Sequence, residues 1–180
     1  MGKKKTDKNT IYGAIIIEGC DCSGKTTLCK KLQARYTNIV SVIHDTYNDP
    51  SDYYFYREQA RKTNTIYDRH FIGEYVYPQV YHRQAKLSEF DKIRLCADID
   101  EYNCLVFVLA PSDETIKNRL LAERADEEQE VKDDYIKINS AFRTLGQELS
   151  KMSKNIYCIE FIEDTPYEKI FDIIDTKYGE

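Results

Sequence analysis

The sequence predicts an α/β fold: a five-stranded parallel sheet flanked by helices. Three observations predict it. Short apolar runs alternate with longer amphipathic stretches along the chain. One run, Leu105 to Ala110, is apolar at every position, as expected of a strand covered on both faces. The first run, with Ala14-Ile15-Ile16-Ile17 at its centre, leads straight into Gly19-Cys20-Asp21-Cys22-Ser23-Gly24-Lys25-Thr26-Thr27. Gly19, Gly24, Lys25 and Thr26 fit G-x-x-x-x-G-K-[ST], a phosphate-binding loop between a strand and a helix.

The elements follow in order. Strand one covers Ile11 to Glu18, and Leu28, Leu32 and Tyr36 mark the helix after the loop. Ile39 to Ile43 reads as strand two, ending at His44-Asp45. Asp49-Pro50 opens a helix through Tyr53, Tyr56 and Arg57. Thr65-Ile66-Tyr67 is strand three, ending at Asp68-Arg69. Helices follow over 71–83 and 88–102, the second with Ser88 as N-cap and Asp91 three residues on. After strand four, Ser112 caps a helix that reaches Arg124, and 125–134 is charged. Val131, Tyr135, Ile138, Phe142, Leu145 and Leu149 then recur at helical spacing. Ile156 to Phe161 is strand five. Thr165-Pro166-Tyr167-Glu168 reads as N-cap, first-turn proline and capping-box Glu of the last helix.

The chain has 180 residues, 42% of them hydrophobic, enough for one domain over 11–180. The first ten residues carry four lysines against one aspartate and read as a disordered basic tail. That tail also matches a short myristoylation pattern, Met1-Gly2 with Thr6. With a formal net charge of -5 over the whole chain, the body is acidic, which argues against stable nucleic-acid binding. No apolar run is long enough to span a membrane and no secretory pattern is present, so a soluble cytoplasmic protein is expected. Six cysteines without a CxxC pair, beside three histidines, read as reduced thiols.

The chemistry gathers where strands end. In the loop, backbone N–H groups of Gly19, Cys22, Ser23, Gly24, Lys25, Thr26 and Thr27 can cradle ATP phosphates. Lys25 can reach the β- and γ-phosphates, and Thr26 can ligate Mg²⁺. Asp68 ends an apolar strand, where its carboxylate can join the same Mg²⁺ shell, and Arg69 offers a planar fork for a phosphate. The alternative for that pair is a structural ion pair. Arg119 and Arg124 are candidate catalytic arginines on a closing lid, because phosphoryl transfer with no external activator needs arginine in cis. Their alternative is a solvated basic face beside Glu123, Asp126 and Glu127.

Glu18-Gly19-x-Asp21-x-x-Gly24-Lys25-Thr26-Thr27 resembles the phosphate loop of thymidylate kinases, and Asp68-Arg69-His70 resembles their Asp-Arg-aromatic motif. The spacing from Asp68-Arg69 to Tyr77, the arginine-bearing lid and the terminal elements line up with that family across nearly the whole chain. The resemblance implies a P-loop kinase fold and transfer from Mg²⁺-ATP to a deoxynucleoside monophosphate. It implies that Asp21 approaches the acceptor sugar, Arg69 holds the acceptor phosphate, and Tyr77 faces the deoxyribose or base. It further puts Ile162-Glu163-Asp164 by the adenine. Family members are often dimers.

The chain departs from the family at several places. Gly73 stands where the family commonly has Ser, Pro78 where it has Gln, and His44-Asp45-Thr46 where it has Arg-Glu-Pro. The first two leave the preferred base open. The segment between strands two and three is short, with Arg57 the remnant of a base-reading arginine. Such trimming resembles small virus-encoded members, so the resemblance extends to a phage or viral chain working in host cytoplasm. Three other readings stand beside the monophosphate kinase. One is a deoxynucleoside kinase, whose hydroxyl acceptor needs a base that Asp45 could supply. The others are a kinase acting on modified DNA and a nucleotide-binding switch without enzymatic activity.

Overall fold

The computed structural model describes residues 10–44, 52–126 and 128–179. The tail expected to be disordered, the myristoylation pattern, Asp45 and the Asp49-Pro50 helix opening lie outside the described residues, as does Glu127.

Five parallel strands form one sheet in the order β2-β3-β1-β4-β5: β1 (Ala14–Glu18), β2 (Ser41–His44), β3 (Thr65–Asp68), β4 (Leu105–Pro111) and β5 (Ile156–Phe161). The helices are α1 (Lys25–Arg35), α2 (Tyr53–Ala60), α3 (Gly73–Val80), α4 (Glu89–Glu101), α5 (Asp113–Glu123), α6 (Gln129–Met152) and α7 (Tyr167–Tyr178). Alternate residues of β1 and β4 face opposite layers, because strand side chains repeat every two residues. Ile16, Val106 and Val108 join one core with Phe142 and Leu149 of α6 and Tyr56 of α2. Ile15, Ile17, Phe107 and Leu109 join the other with Leu28 and Leu32 of α1 and Ile170 and Ile174 of α7. Both faces of the central strands are therefore covered, which is why they read as continuous apolar runs.

Expected boundaries shift where a cap or an exposed face decides them. β1 begins at Ala14 rather than Ile11, and β2 at Ser41, with Val40 exposed. α2 starts at Tyr53 because the Asp52 carboxylate accepts from the Phe55 N–H at 2.9 Å. The Ser88–Asp91 capping box on α4 and the Ser112 cap on α5 form as read. The Thr165 cap does not. The α7 N-cap is Pro166, with no side-chain cap, and the Thr165 hydroxyl is buried with no hydrogen-bond partner. α6 starts at Gln129, inside the segment read as charged loop, so only five positions separate it from the end of α5 at Glu123. On α6, Ile138, Phe142, Leu145 and Leu149 are buried while Val131 is exposed.

All six cysteine thiols are free, four of them buried. Among the described residues no helix is long and apolar enough to cross a membrane.

Candidate active site

Because all strands are parallel, their carboxyl ends share one edge, and β1, β3 and β4 are adjacent there. The turns leaving those ends are forced together. The result is a cleft of about 520 Å³ lined by Asp21, Gly24, Lys25, Thr26, Asp68 and Arg69 on one side and by Arg119, Glu123, Arg124, Thr165 and Tyr167 on the other.

The loop after β1 curls by positive-φ residues. Gly19 has φ 143° and Gly24 φ 97°, conformations that favour glycine. A Cβ at Gly19 would meet the Leu109 carbonyl and the Ser23 hydroxyl at 2.7 Å. Cys22 also sits at φ 60°, and the Ser23 N–H donates to the Cys20 carbonyl at 3.3 Å. The Ser23 hydroxyl is buried without a partner. Lys25 is buried, and its ammonium donates inward to the carbonyls of Gly19 (2.9 Å) and Cys20 (2.7 Å). Lys25 thereby braces the loop after β1.

Asp68, the last residue of β3, is buried. Its Oδ2 accepts from the Thr26 hydroxyl at 3.3 Å and lies 3.0 Å from His44 Nδ1. Its Oδ1 is buried with no hydrogen-bond partner. A carboxylate oxygen without a proton donor, next to the loop threonine, is the donor set expected for a hard cation.

Asp21 collects cations. Arg69 donates to its Oδ1 at 2.7 Å, Arg124 lies 3.6 Å from its Oδ2, and the Lys25 ammonium is 4.0 Å away. Arg69 itself holds φ 81°, a costly conformation for a residue with a Cβ. Arg124, at the C-cap of α5, also donates to the Tyr135 hydroxyl of α6 at 2.6 Å. Arg119 points into the cleft from α5 and donates to the carbonyls of Cys22 (3.1 Å) and Glu163 (2.8 Å). Thus the phosphate loop, the α5–α6 turn and the segment after β5 are stitched together by two arginines. Tyr77, on α3, packs against Phe142, and burial pushes its hydroxyl pKa up, with the nearby Asp21 carboxylate adding and Arg69 opposing.

Arg57 goes elsewhere. Its guanidinium donates to the Tyr102 hydroxyl at 2.8 Å and lies 3.5 Å from Asp98, where α2 packs on α4. It is not among the residues lining the cleft. The reading of Arg57 as the remnant of a base-reading arginine is therefore not met by its placement, because the packing of α2 on α4 turns it to Tyr102 and Asp98. Cys22 and Thr27 line the cleft; the Cys22 thiol lies 3.6 Å from Glu123, and burial raises its pKa.

Several participants were not singled out by the sequence as site residues. Glu123, Thr165 and Tyr167 enter the cleft only because α5 and the start of α7 pass over the phosphate loop. His44 meets Asp68 because β2 pairs with β3 in register, His44 opposite Asp68. Glu18 is fully buried, and burial pushes its carboxyl up to about 7, the N–H of Ile72 and the charge of Lys25 opposing.

No family model matches the chain, and no curated protein matches it. Solved structures do. The YorR protein of Bacillus subtilis, solved in complex with phosphorylated GDP, is 18% identical with a TM-score of 0.70, covering 93% of this chain and 98% of that one. Deoxyadenosine kinase from M. mycoides, with bound dATP, is 16% identical with a TM-score of 0.51, covering 93% and 100%. At these identities the likeness shows the fold alone, an α/β fold around a five-stranded parallel sheet, as the sequence predicts.

Proposed function

We propose that the protein is an ATP-dependent deoxynucleoside monophosphate kinase, similar to thymidylate kinases, converting dNMP and ATP to dNDP and ADP. One observation carries this reading: Arg69 and Arg124 converge on Asp21 beside the phosphate loop, so two guanidiniums stand ready on the acceptor side. In a chain of net charge -5, the cleft gathers Lys25, Arg69, Arg119 and Arg124 against Asp21, Asp68 and Glu123. That local balance suits a ligand bearing several phosphates. The nucleotides named with the two similar structures, phosphorylated GDP and dATP, support a nucleotide ligand.

The chemistry follows from the placement. Loop N–H groups and the α1 N-terminus hold the donor phosphates. Lys25 exchanges its bonds to the Gly19 and Cys20 carbonyls for phosphate oxygens. Thr26 and Asp68 would hold the Mg²⁺ that accompanies ATP, which when bound neutralises charge on the β- and γ-phosphates. Arg69 holds the acceptor phosphate as a fork, and Asp21 keeps that fork aimed. The acceptor oxygen is already anionic, so it attacks the γ-phosphorus without giving up a proton. The bond from the γ-phosphorus to the β-phosphate oxygen breaks, and ADP leaves. Arg119 and Arg124 meet the charge that develops between them.

A second reading, a deoxynucleoside kinase, is favoured by the similarity to deoxyadenosine kinase. It needs a carboxylate base, for which Asp45 is the candidate. A panel of nucleosides and monophosphates assayed with Mg²⁺-ATP separates the two. Turnover of monophosphates supports the first reading, and turnover of nucleosides alone replaces it with the second.

A further inference from the structure

Glu18 ends β1 and is followed directly by Gly19, the first residue of the phosphate loop. Its carboxyl reaches the turn between β3 and α3. Oε1 accepts the N–H of His70 and the N–H of Ile72, each at 2.9 Å, and the Gly73 N–H also faces the carboxyl. These donors belong to the turn between β3 and α3 and to the first residue of α3. That helix has no side-chain cap of its own, since its N-cap residue is Ile72. A buried acidic side chain from the neighbouring strand does the capping instead.

The residues so held are the acceptor side of the cleft. Arg69 immediately precedes the first N–H donor and sits at φ 81°, so its backbone needs outside support to stay there. Tyr77 rides on the capped helix, near enough to Asp21 and Arg69 for both to influence its hydroxyl. Glu18 is thus a strut between the start of the donor-phosphate loop and the turn that aims Arg69.

We infer that Glu18 is a positioning residue that holds Arg69 and α3 in register with the phosphate loop, and so sets the affinity for the acceptor phosphate rather than for ATP. The inference rests on the reading of Arg69 as the acceptor clamp. Both protonation states of Glu18 keep an acceptor oxygen for the two N–H groups, so a glutamine should serve as well.

The experiment compares wild type with Glu18→Gln, Glu18→Asp and Glu18→Ala, measuring KM for the preferred dNMP, Kd for ATP and Tm. Glu18→Ala should raise the acceptor KM about tenfold or more with the ATP Kd within about twofold, and Glu18→Gln should stay within about threefold of wild type in both. Glu18→Asp keeps a buried carboxyl but withdraws it by one methylene. It carries the test if the alanine variant does not fold, again with a selective rise in acceptor KM. An acceptor KM unchanged in the aspartate and alanine variants overturns the inference. So does an equal loss of ATP and acceptor binding, which would mark Glu18 as a general support of the fold. A wild type that turns over nucleosides and no monophosphate removes the clamp reading and the inference with it, and that result appears before any variant is made.

Discussion

Arg69 and Asp21, 48 positions apart in the chain, meet side chain to side chain at 2.7 Å. They meet because β1 and β3 are parallel neighbours, with Ile17 opposite Asp68, so the two turns leave the sheet together. The Arg69 N–H also closes on the Ile17 carbonyl at 2.9 Å. The pair fixes where the Arg69 guanidinium stands relative to the loop after β1.

Replacing Arg69 should therefore act on the acceptor. Asn is the better probe than Ala, since it tolerates the φ of 81°. Arg69→Asn should raise KM for the dNMP by about ten- to a hundredfold, because a charge-assisted contact is lost. Asp45→Asn should be mild by comparison. If the acceptor were a nucleoside hydroxyl, Asp45→Asn would instead lower kcat by roughly two to four orders of magnitude. Steady-state kinetics of both variants against a nucleoside and its monophosphate decide between the two.

Lys25→Ala should abolish turnover. Its ammonium is the one buried cation of the loop after β1, bonded at 2.9 and 2.7 Å to loop carbonyls, and the proposed mechanism transfers it from them to phosphate. Retention of more than about a tenth of wild-type kcat would count against a catalytic loop. Circular dichroism of the variant should show the fold kept.

Arg119 and Arg124 should matter to rate more than to binding. Arg119 bridges the phosphate loop to the segment after β5, and Arg124 bridges Asp21 to Tyr135. Alanine at one of them should cost on the order of a hundredfold in kcat, because the charge they meet is that of the transition state. An unchanged kcat in both variants would return the pair to the role of surface ion-pair partners.

His70 predicts an acid-sensitive fold. It is buried between Tyr56, Tyr67 and Phe71, and burial lowers its pKa to about 3 from 6.5. The unfolded chain gains a proton there below pH 6.5 and the folded chain does not, so stability falls as pH drops from 6.5 towards 3. Glu18 acts in the opposite sense, its contribution fading as pH rises from 4.5 to about 7. In thermal melts His70→Phe should match wild type near pH 7.5 and become progressively the more stable of the two below pH 6. Parallel curves would refute the assignment.

Much of the architecture was legible in the sequence. Short apolar runs, helical spacing and cap residues marked the five strands and seven helices seen among the described residues, because each is specified by residues close along the chain. Boundaries moved by a few residues, as at β1, which begins at Ala14 rather than Ile11. The phosphate loop was legible because its glycines are needed by local backbone geometry, shown by the positive φ of Gly19 and Gly24. Thr165 read as a cap by the same local logic, yet its hydroxyl lines the cleft, because the turn before α7 passes over the loop.

By itself, then, the sequence determined what depends on neighbours along the chain: strands, helices, the α4 capping box and the phosphate loop. Only the tertiary structure decided which charges meet. Arg57 and Arg69 were both read from the sequence as acceptor-side arginines. The packing of α2 on α4 commits Arg57 to Asp98 and Tyr102, and the pairing of β3 with β1 commits Arg69 to Asp21. Glu18 shows the same division. Its place before the loop is written in the chain, but the N–H groups it holds lie 52 and 54 residues away. The reason is physical: a backbone conformation is set largely by a residue's own neighbours, whereas an ion pair or a cap in trans exists only where the sheet order brings distant strand ends side by side.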